Sequence, residues 1–321
     1  KIVNTQATLM GTGVYFENSK YNSILSTTVG SSGADGISLK SSNYNLIQTS
    51  NISGSVSDGI ELVNSTFNSL LNLRLTNNGQ DGMNLNTVST NNFITDLKSA
   101  NNVRYGLNYI NSGINAASDV FVYNNGSFGI DLNGSNGNRL SGVLTSNNNS
   151  SGINLTSSSN NILSRITSTN NNLDGIWIQG ASSNNIVTNA AIANNSSISG
   201  YGIYNISASL NNTFSQLAID SGINDIYISA DSTGGKFTGN LLLGTPSCNV
   251  NSGLNPGLNS SCGNAGPSNA ALNGTISLAN SFFGKVTTED SKNTSDSSGA
   301  ATFVSLTSST GDWLSFDNIF R

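Results

Sequence analysis

The chain has 321 residues and a net charge of −5, with 9% charged residues, no His, 2 Cys and 3 Pro. Without His there is no imidazole triad, zinc site or general base, and so few Lys and Arg argue against binding nucleic acid through its phosphates. No apolar run is long enough to span a bilayer as a helix. The chain also holds 54 Asn and 55 Ser, yet 36% of it is hydrophobic, mostly Ile, Leu and Val. Disordered chains are poor in such residues, so a core is expected, and the question becomes how those residues are spaced.

A Gly-apolar-x-apolar unit recurs as Gly13-Val14-Tyr15-Phe16, Gly36-Ile37-Ser38-Leu39, Gly59-Ile60-Glu61-Leu62 and Gly82-Met83-Asn84-Leu85. It continues from Gly106, Gly129, Gly152, Gly175 and Gly202 and ends degenerate at Asp225-Ile226-Tyr227-Ile228. Successive steps are 23, 23, 23, 24, 23, 23, 23, 27 and 23 residues. A second column follows each Gly: Asn22, Asn45, Asn68, Asn92, Asn115, Asn138, Asn161, Asn185 and Asn212, with apolar residues two, five and seven positions later. A third column is an Asn pair, from Asn77-Asn78 to Asn194-Asn195. Each unit reads as two or three strands of three to five residues separated by Asn/Ser/Gly turns.

Strands this short bury no face alone, but equivalent strands stacked from unit to unit enclose a continuous core. At about 4.8 Å per coil, ten coils make a rod on the order of 50 Å long. Asn suits the turns because it tolerates positive φ and its amide bonds backbone groups, and aligned amides form a ladder.

The units resemble the right-handed parallel β-helix repeats of pectate-lyase-like, carbohydrate-binding and sugar-hydrolase proteins, over roughly residues 1–245. The resemblance implies an all-β, right-handed parallel β-helix of about ten 23-residue coils over residues 1–240. It is weak on function, since such a fold hosts enzymes, tailspikes, adhesins and stalks.

Residues 241–321 break the period and are expected to form a β-rich C-terminal capping segment. Cys248 and Cys262 flank a Gly/Asn/Pro-rich loop, and a disulfide between them would stabilise by about 3 kcal/mol. A disulfide points to an exported protein, extracellular or at the cell surface. Lys1 begins mid-coil by the repeat phase, and the chain ends on Phe320-Arg321 without a polar tail, so a segment of a longer protein is expected.

In the Gly unit, the position between the two apolar residues is expected to face outward: Tyr15, Ser38, Glu61, Asn84, Asn108, Asp131, Asn154, Trp177, Tyr204, Tyr227. Its nearest carboxylates, Glu61 and Asp131, are three coils or about 15 Å apart, beyond the 5–9.5 Å that glycosidases use. No catalytic residue, cofactor or metal is therefore assigned, and neither the polygalacturonase nor the alginate-epimerase signature is present. Asp96 and Asp119 share a phase in adjacent coils and read as a solvated pair balanced by Lys98; Asp35, Asp58 and Asp81 precede Gly in successive coils and read as Asp-Gly turns rather than a Ca²⁺ site.

The 27-residue step inserts residues near Ser196–Tyr201, beside the stretch where the outward column turns aromatic. Trp177, Gln179, Tyr201, Tyr204 and Tyr227 form the candidate ligand-binding set. Two uses fit: stacking on sugar rings or protein contacts, or packing beneath the Phe- and Trp-rich C-terminal segment. The expected function is a non-catalytic adhesin or glycan-binding stalk, with a polysaccharide or cell-surface glycan as partner. The alternatives are a self-associating subunit of a filament, sheath or tailspike-like fibre, and a polysaccharide lyase or hydrolase.

Overall fold

The computed structural model describes residues 1–8, 11–196, 200–221, 225–229, 231–232, 235–238 and 240–242, and short strands at 248–250, 264–265, 286–287 and 305–306. The chain is an all-β parallel solenoid, without helix among the described residues, of about nine turns rather than ten. Two parallel sheets run along it, one of eleven strands and one of fifteen.

Each turn away from the ends contributes one short strand and one long one. Short strands such as Ile37–Lys40, Ile60–Val63, Met83–Asn86 and Leu107–Ile110 stack in the eleven-stranded sheet in exact phase, with Glu61 opposite Ser38 and Asn84. The two further short strands expected are separate near the ends, at Ser23–Leu25 with Thr28–Gly30 and at Lys236–Thr238 with Asn240–Leu242; in the eight coils between they merge into a single eight-residue strand: Leu46–Ser53, Ser69–Thr76, Phe93–Ala100, Ala116–Tyr123 and four more. Its fourth residue carries positive φ: Thr49, Asn72, Asp96, Asp119, Gly142, Arg165, Asn189 and Gln216. That residue pairs with neither neighbour, so the strand bends there and its inward-outward alternation slips by one. The apolar spacing of two, five and seven follows, because Ile94 and Leu97 both face inward across Asp96 and are fully buried.

The core is a filled column. In one coil Ile60, Leu62, Leu70, Leu73 and Leu75 are all buried, each contributing about 1.5–3 kcal/mol. The repeated Gly is steric in origin: a Cβ on Gly59 would lie 2.5 Å from the Gly82 carbonyl oxygen of the next coil.

Three ladders satisfy the buried corners. In the first, each Asn Oδ1 accepts the backbone N–H of its counterpart one coil earlier: Asn22 to Asn45, Asn45 to Asn68, and on to Asn185 with Asn212, at 2.7–2.9 Å. The second residue of the Asn pair repeats this from Asn78 through Asn102, Asn125, Asn148 and Asn171 to Asn195. Its first residue turns the chain at positive φ. A third ladder, of hydroxyls, joins Ser42, Ser65, Ser89, Ser112, Ser135, Ser158, Ser182 and Ser209. Among so many Ser residues it carries no distinctive sequence signal.

The expected Cys248–Cys262 disulfide lies outside the described residues: Cys248 occupies a short strand paired with Ile226, Cys262 is not described, and no disulfide is among the described residues. The cap over 241–321 and its packing on the aromatic residues likewise fall outside them, save for four short strands.

Asn115→Ala strands the backbone N–H of Asn92 and removes one of the two acceptors of its side-chain amide, which keeps its bond to the Ser65 carbonyl. Urea unfolding is expected to show a loss on the order of 2–4 kcal/mol, against under about 1 kcal/mol for Asn172→Ala, whose side chain is exposed. Equal losses would contradict a structural role for the buried ladder.

Candidate functional site

The outer face of the eleven-stranded sheet carries three side-chain columns: the residue before each Gly, the residue two after it and the residue four after it. The middle column is continuous in register, from Glu61 through Asn84, Asn108, Asp131, Asn154 and Trp177 to Tyr204 and Tyr227. It is not the exposed column expected: Ser38, Asn84, Asn108, Asp131 and Asn154 are buried. The reason is that the column before Gly shares this face and folds over it. Asn84 Nδ2 donates to Asp58 Oδ2 at 3.0 Å, and Asn108 Nδ2 to Asp81 Oδ2 at 2.8 Å.

The separation of carboxylates inferred from the middle column alone is thereby corrected. Asp35, Asp58 and Asp81 lie on the same face as Glu61, and each accepts the backbone N–H of the pre-Gly residue one coil on. Asp35 Oδ1 takes that of Asp58 (3.2 Å), Asp58 Oδ1 that of Asp81 (2.8 Å) and Asp81 Oδ1 that of Tyr105 (3.1 Å). Arg104 closes the series with two bonds to Asp81, at 3.0 and 2.8 Å. Among the described residues no three acidic side chains stand close enough to hold a metal ion.

Burial pushes the Asp58 carboxyl up to about 6, with the charge of Asp81 adding to it. The Glu61 carboxyl rises to about 7, first through burial and then through the charges of Asp35 and Asp58, with a hydrogen-bond contact to Asp35 in the same direction. Asp131 and Asp174 rise to about 6, again chiefly through burial. Asp131 accepts from Asn154 Nδ2 at 2.7 Å, and Asn154 Oδ1 accepts from Gln179 Nε2 at 3.3 Å.

Further along the same face the side chains become aromatic. Tyr105 stacks on Phe128, Phe128 meets Trp177 edge-on, Trp177 stacks on Tyr204, and Tyr201 packs on both Tyr204 and Tyr227. Centroid separations run from 4.5 to 6.2 Å, so six rings form one unbroken run. The Arg104 guanidinium lies over the Tyr105 ring at 5.2 Å, at the join between the acidic and aromatic stretches. Trp177 Nε1 is buried without a hydrogen-bond partner. Buried Asp174 anchors the insertion by accepting the Tyr201 N–H at 2.8 Å.

Four of the five residues expected to bind ligand thus lie in one ring cluster, while Gln179 belongs to the polar network beside it. Sequence reasoning missed Tyr105, Phe128 and Arg104. The signal was present in the column Asp35, Asp58, Asp81, Tyr105, Phe128, which changes character where the acids end. It also missed an exposed stack, Tyr21–Tyr44–Phe67, with centroids 5.4 and 5.1 Å apart at another corner. Asp96 and Asp119 sit at the bends of the long strands, and Lys98 is in neither of the two ion pairs among the described residues, Lys40–Glu17 and Arg104–Asp81.

Comparison with known proteins bears on the fold. The family pattern described as "Right handed beta helix region" matches residues 1–121 and 89–242. No curated protein matches the chain. Among solved structures, the periplasmic alginate epimerase AlgG is 19% identical with a TM-score of 0.57, over 63% of this chain and 58% of that one. The Dettilon tailspike protein is 14% identical at 0.59, over 77% and 60%. The A-module of the Azotobacter vinelandii mannuronan C-5 epimerase AlgE4 is 16% identical at 0.56, over 77% and 74%. The chain thus spans less than two thirds of the first of these.

The four raised carboxyls bind protons more tightly in the folded chain than in the unfolded one, so protonation favours the fold. Stability from these groups is full below their ordinary range near 4 and is lost as pH rises through about 6 to 7. Urea midpoints are expected to fall between pH 4 and pH 7.5, and Asp131→Asn is expected to flatten that slope. An unchanged slope in the variant would contradict the burial of Asp131.

Proposed function

The chain belongs to the right-handed β-helix family, and from that premise we propose that it is a glycan-binding rod whose binding surface is the outer face of the eleven-stranded sheet. The observation that carries this reading is the six-ring run from Tyr105 to Tyr227 bordered by the Asp131–Asn154–Gln179 network. Rings supply the flat apolar surface on which sugar C–H faces pack, and amides and carboxylates beside them bond hydroxyls. A strand-stacked face is straight and periodic, which suits a chain ligand lying along the rod. The solved structures of like fold, two epimerases of alginate or mannuronan and a tailspike, are consistent with an exported protein that meets polysaccharide.

A second reading, acid-base chemistry on a sugar polymer, is favoured by one observation. Asp58 and Glu61 adjoin each other with both carboxyls shifted toward neutrality, the condition in which one is protonated while its neighbour is charged.

A glycan array on the purified chain, followed by titration of the best binder, tests the proposal. Trp177→Ala combined with Tyr204→Ala is expected to weaken binding by about tenfold or more, at about 1 kcal/mol per ring. Retention of full affinity by the double variant, with the β spectrum intact, would sink the assignment of the face. Release of reducing ends or unsaturated sugars from the bound polymer would favour the second reading over a passive rod.

A further inference from the structure

We propose that the glycan taken by this face carries free amines, an oligomer or polymer of amino sugars, with an ammonium group lodged against Asp35 and Glu61. The inference rests on the glycan reading above and adds the chemical class of the ligand.

Charge on this face is predominantly negative. Along the face lie Glu17, Asp35, Asp58, Glu61, Asp81, Asp131 and Asp174, against Arg104 and Lys40. Neither cation is free: Arg104 is held by both oxygens of Asp81, and Lys40 pairs with Glu17 at 3.7 Å. A uronate chain would bring further carboxylates to a surface with no spare positive partner.

Hydrogen-bonding capacity points the same way. Asn84 and Asn108 are 6% and 1% exposed, and their Nδ2 groups are committed to Asp58 and Asp81. That leaves Asn84 Oδ1 and Asn108 Oδ1 without any partner. The orientation of each amide is fixed by its donation to a carboxylate, so the negative ends of two further dipoles remain uncompensated within the cluster. Within the acidic stretch the amide donors are thus spent on carboxylates, and acceptor oxygens are in excess.

Asp35 and Glu61 are the half-buried members at the surface, with Asp58 buried beneath them. Glu61 stands to Asp35 as Asn84 stands to Asp58 and Asn108 to Asp81 in the following coils, and at that position two bare carboxylates resist each other. An ammonium supplies three N–H donors and a positive charge, and can give one charge-assisted bond to each carboxylate. A divalent cation is the poorer occupant, since no three acidic side chains converge here with metal-holding geometry. Two coils on, about 10 Å along the rod, Tyr105 opens the aromatic run, where sugar faces pack and further ammonium groups are accepted by cation–π contact.

Calorimetric titration of the full chain with a glucosamine oligomer, its N-acetylated counterpart and an oligouronate, all near neutral pH, tests this. The free-amine oligomer is expected to bind at least about tenfold more tightly than either other, and Glu61→Gln is expected to bring it down to the level of the acetylated form. Trp177→Ala is expected to weaken the amino and acetylated oligomers alike. Equal or tighter binding of the acetylated form or the uronate overturns the amine assignment while leaving the glycan reading intact, as does an unchanged preference in Glu61→Gln. Binding of poly-lysine with none of the sugars overturns both and assigns the acidic stretch to a cationic peptide.

Discussion

Stacking at a fixed coil-to-coil distance governs this molecule. Once the strands of successive coils pair in parallel and in phase, every residue has its counterpart directly above and below it, about 4.8 Å away. Any side chain that cannot tolerate its own counterpart is excluded from a column, or must be partnered there. Gly is required where a Cβ would strike the next coil's carbonyl, as at Gly59. Asn and Ser are favoured at buried corners because each can accept from the coil before it. The unusual composition is thus a consequence of one repeated distance.

The same constraint explains what could be read in advance. Period, Gly unit and both Asn columns are visible because stacking demands the same residue every coil. The bend in the long strands was legible only as an odd spacing: Ile94 and Leu97 are three apart, which no straight strand allows if both face inward. Positive φ at Asp96 resolves it. Thr49, Arg165 and Gln216 occupy that position too, so residue type alone gives little signal there. Burial of the middle column was not legible, because it depends on a neighbouring column leaning across: Asn108 looks outward in a strand pattern until Asp81 takes its amide.

Identical stacking is costly for charge, and the pre-Gly column contains the response. Three successive carboxylates, Asp35, Asp58 and Asp81, stand at a spacing where like charges repel appreciably at an effective dielectric of about 20. Each is offset by a backbone N–H from the following coil, and Asp81 in addition by Arg104. Asp58 has no such cation, and burial, with the charge of Asp81 added, raises its carboxyl. Beyond Arg104 the column turns to Tyr105 and Phe128, whose rings attract one another at the same spacing.

Acidic and aromatic stretches therefore share one mechanical origin and one face. The insertion extends the second stretch rather than interrupting it: extra residues before Gly202 move Tyr201 over Tyr204 and Tyr227, with Asp174 holding its backbone. Carboxylate and amide oxygens therefore mark one end of the face and ring faces the other. Fold stability alone calls for neither, since the coil between Phe128 and Trp177 holds Ser151 and Asn154 in the same columns. The residues that depart from the repeat on this face are an acidic stretch followed by a run of rings, and the in-phase pairing that aligns every column sets them in line along the rod.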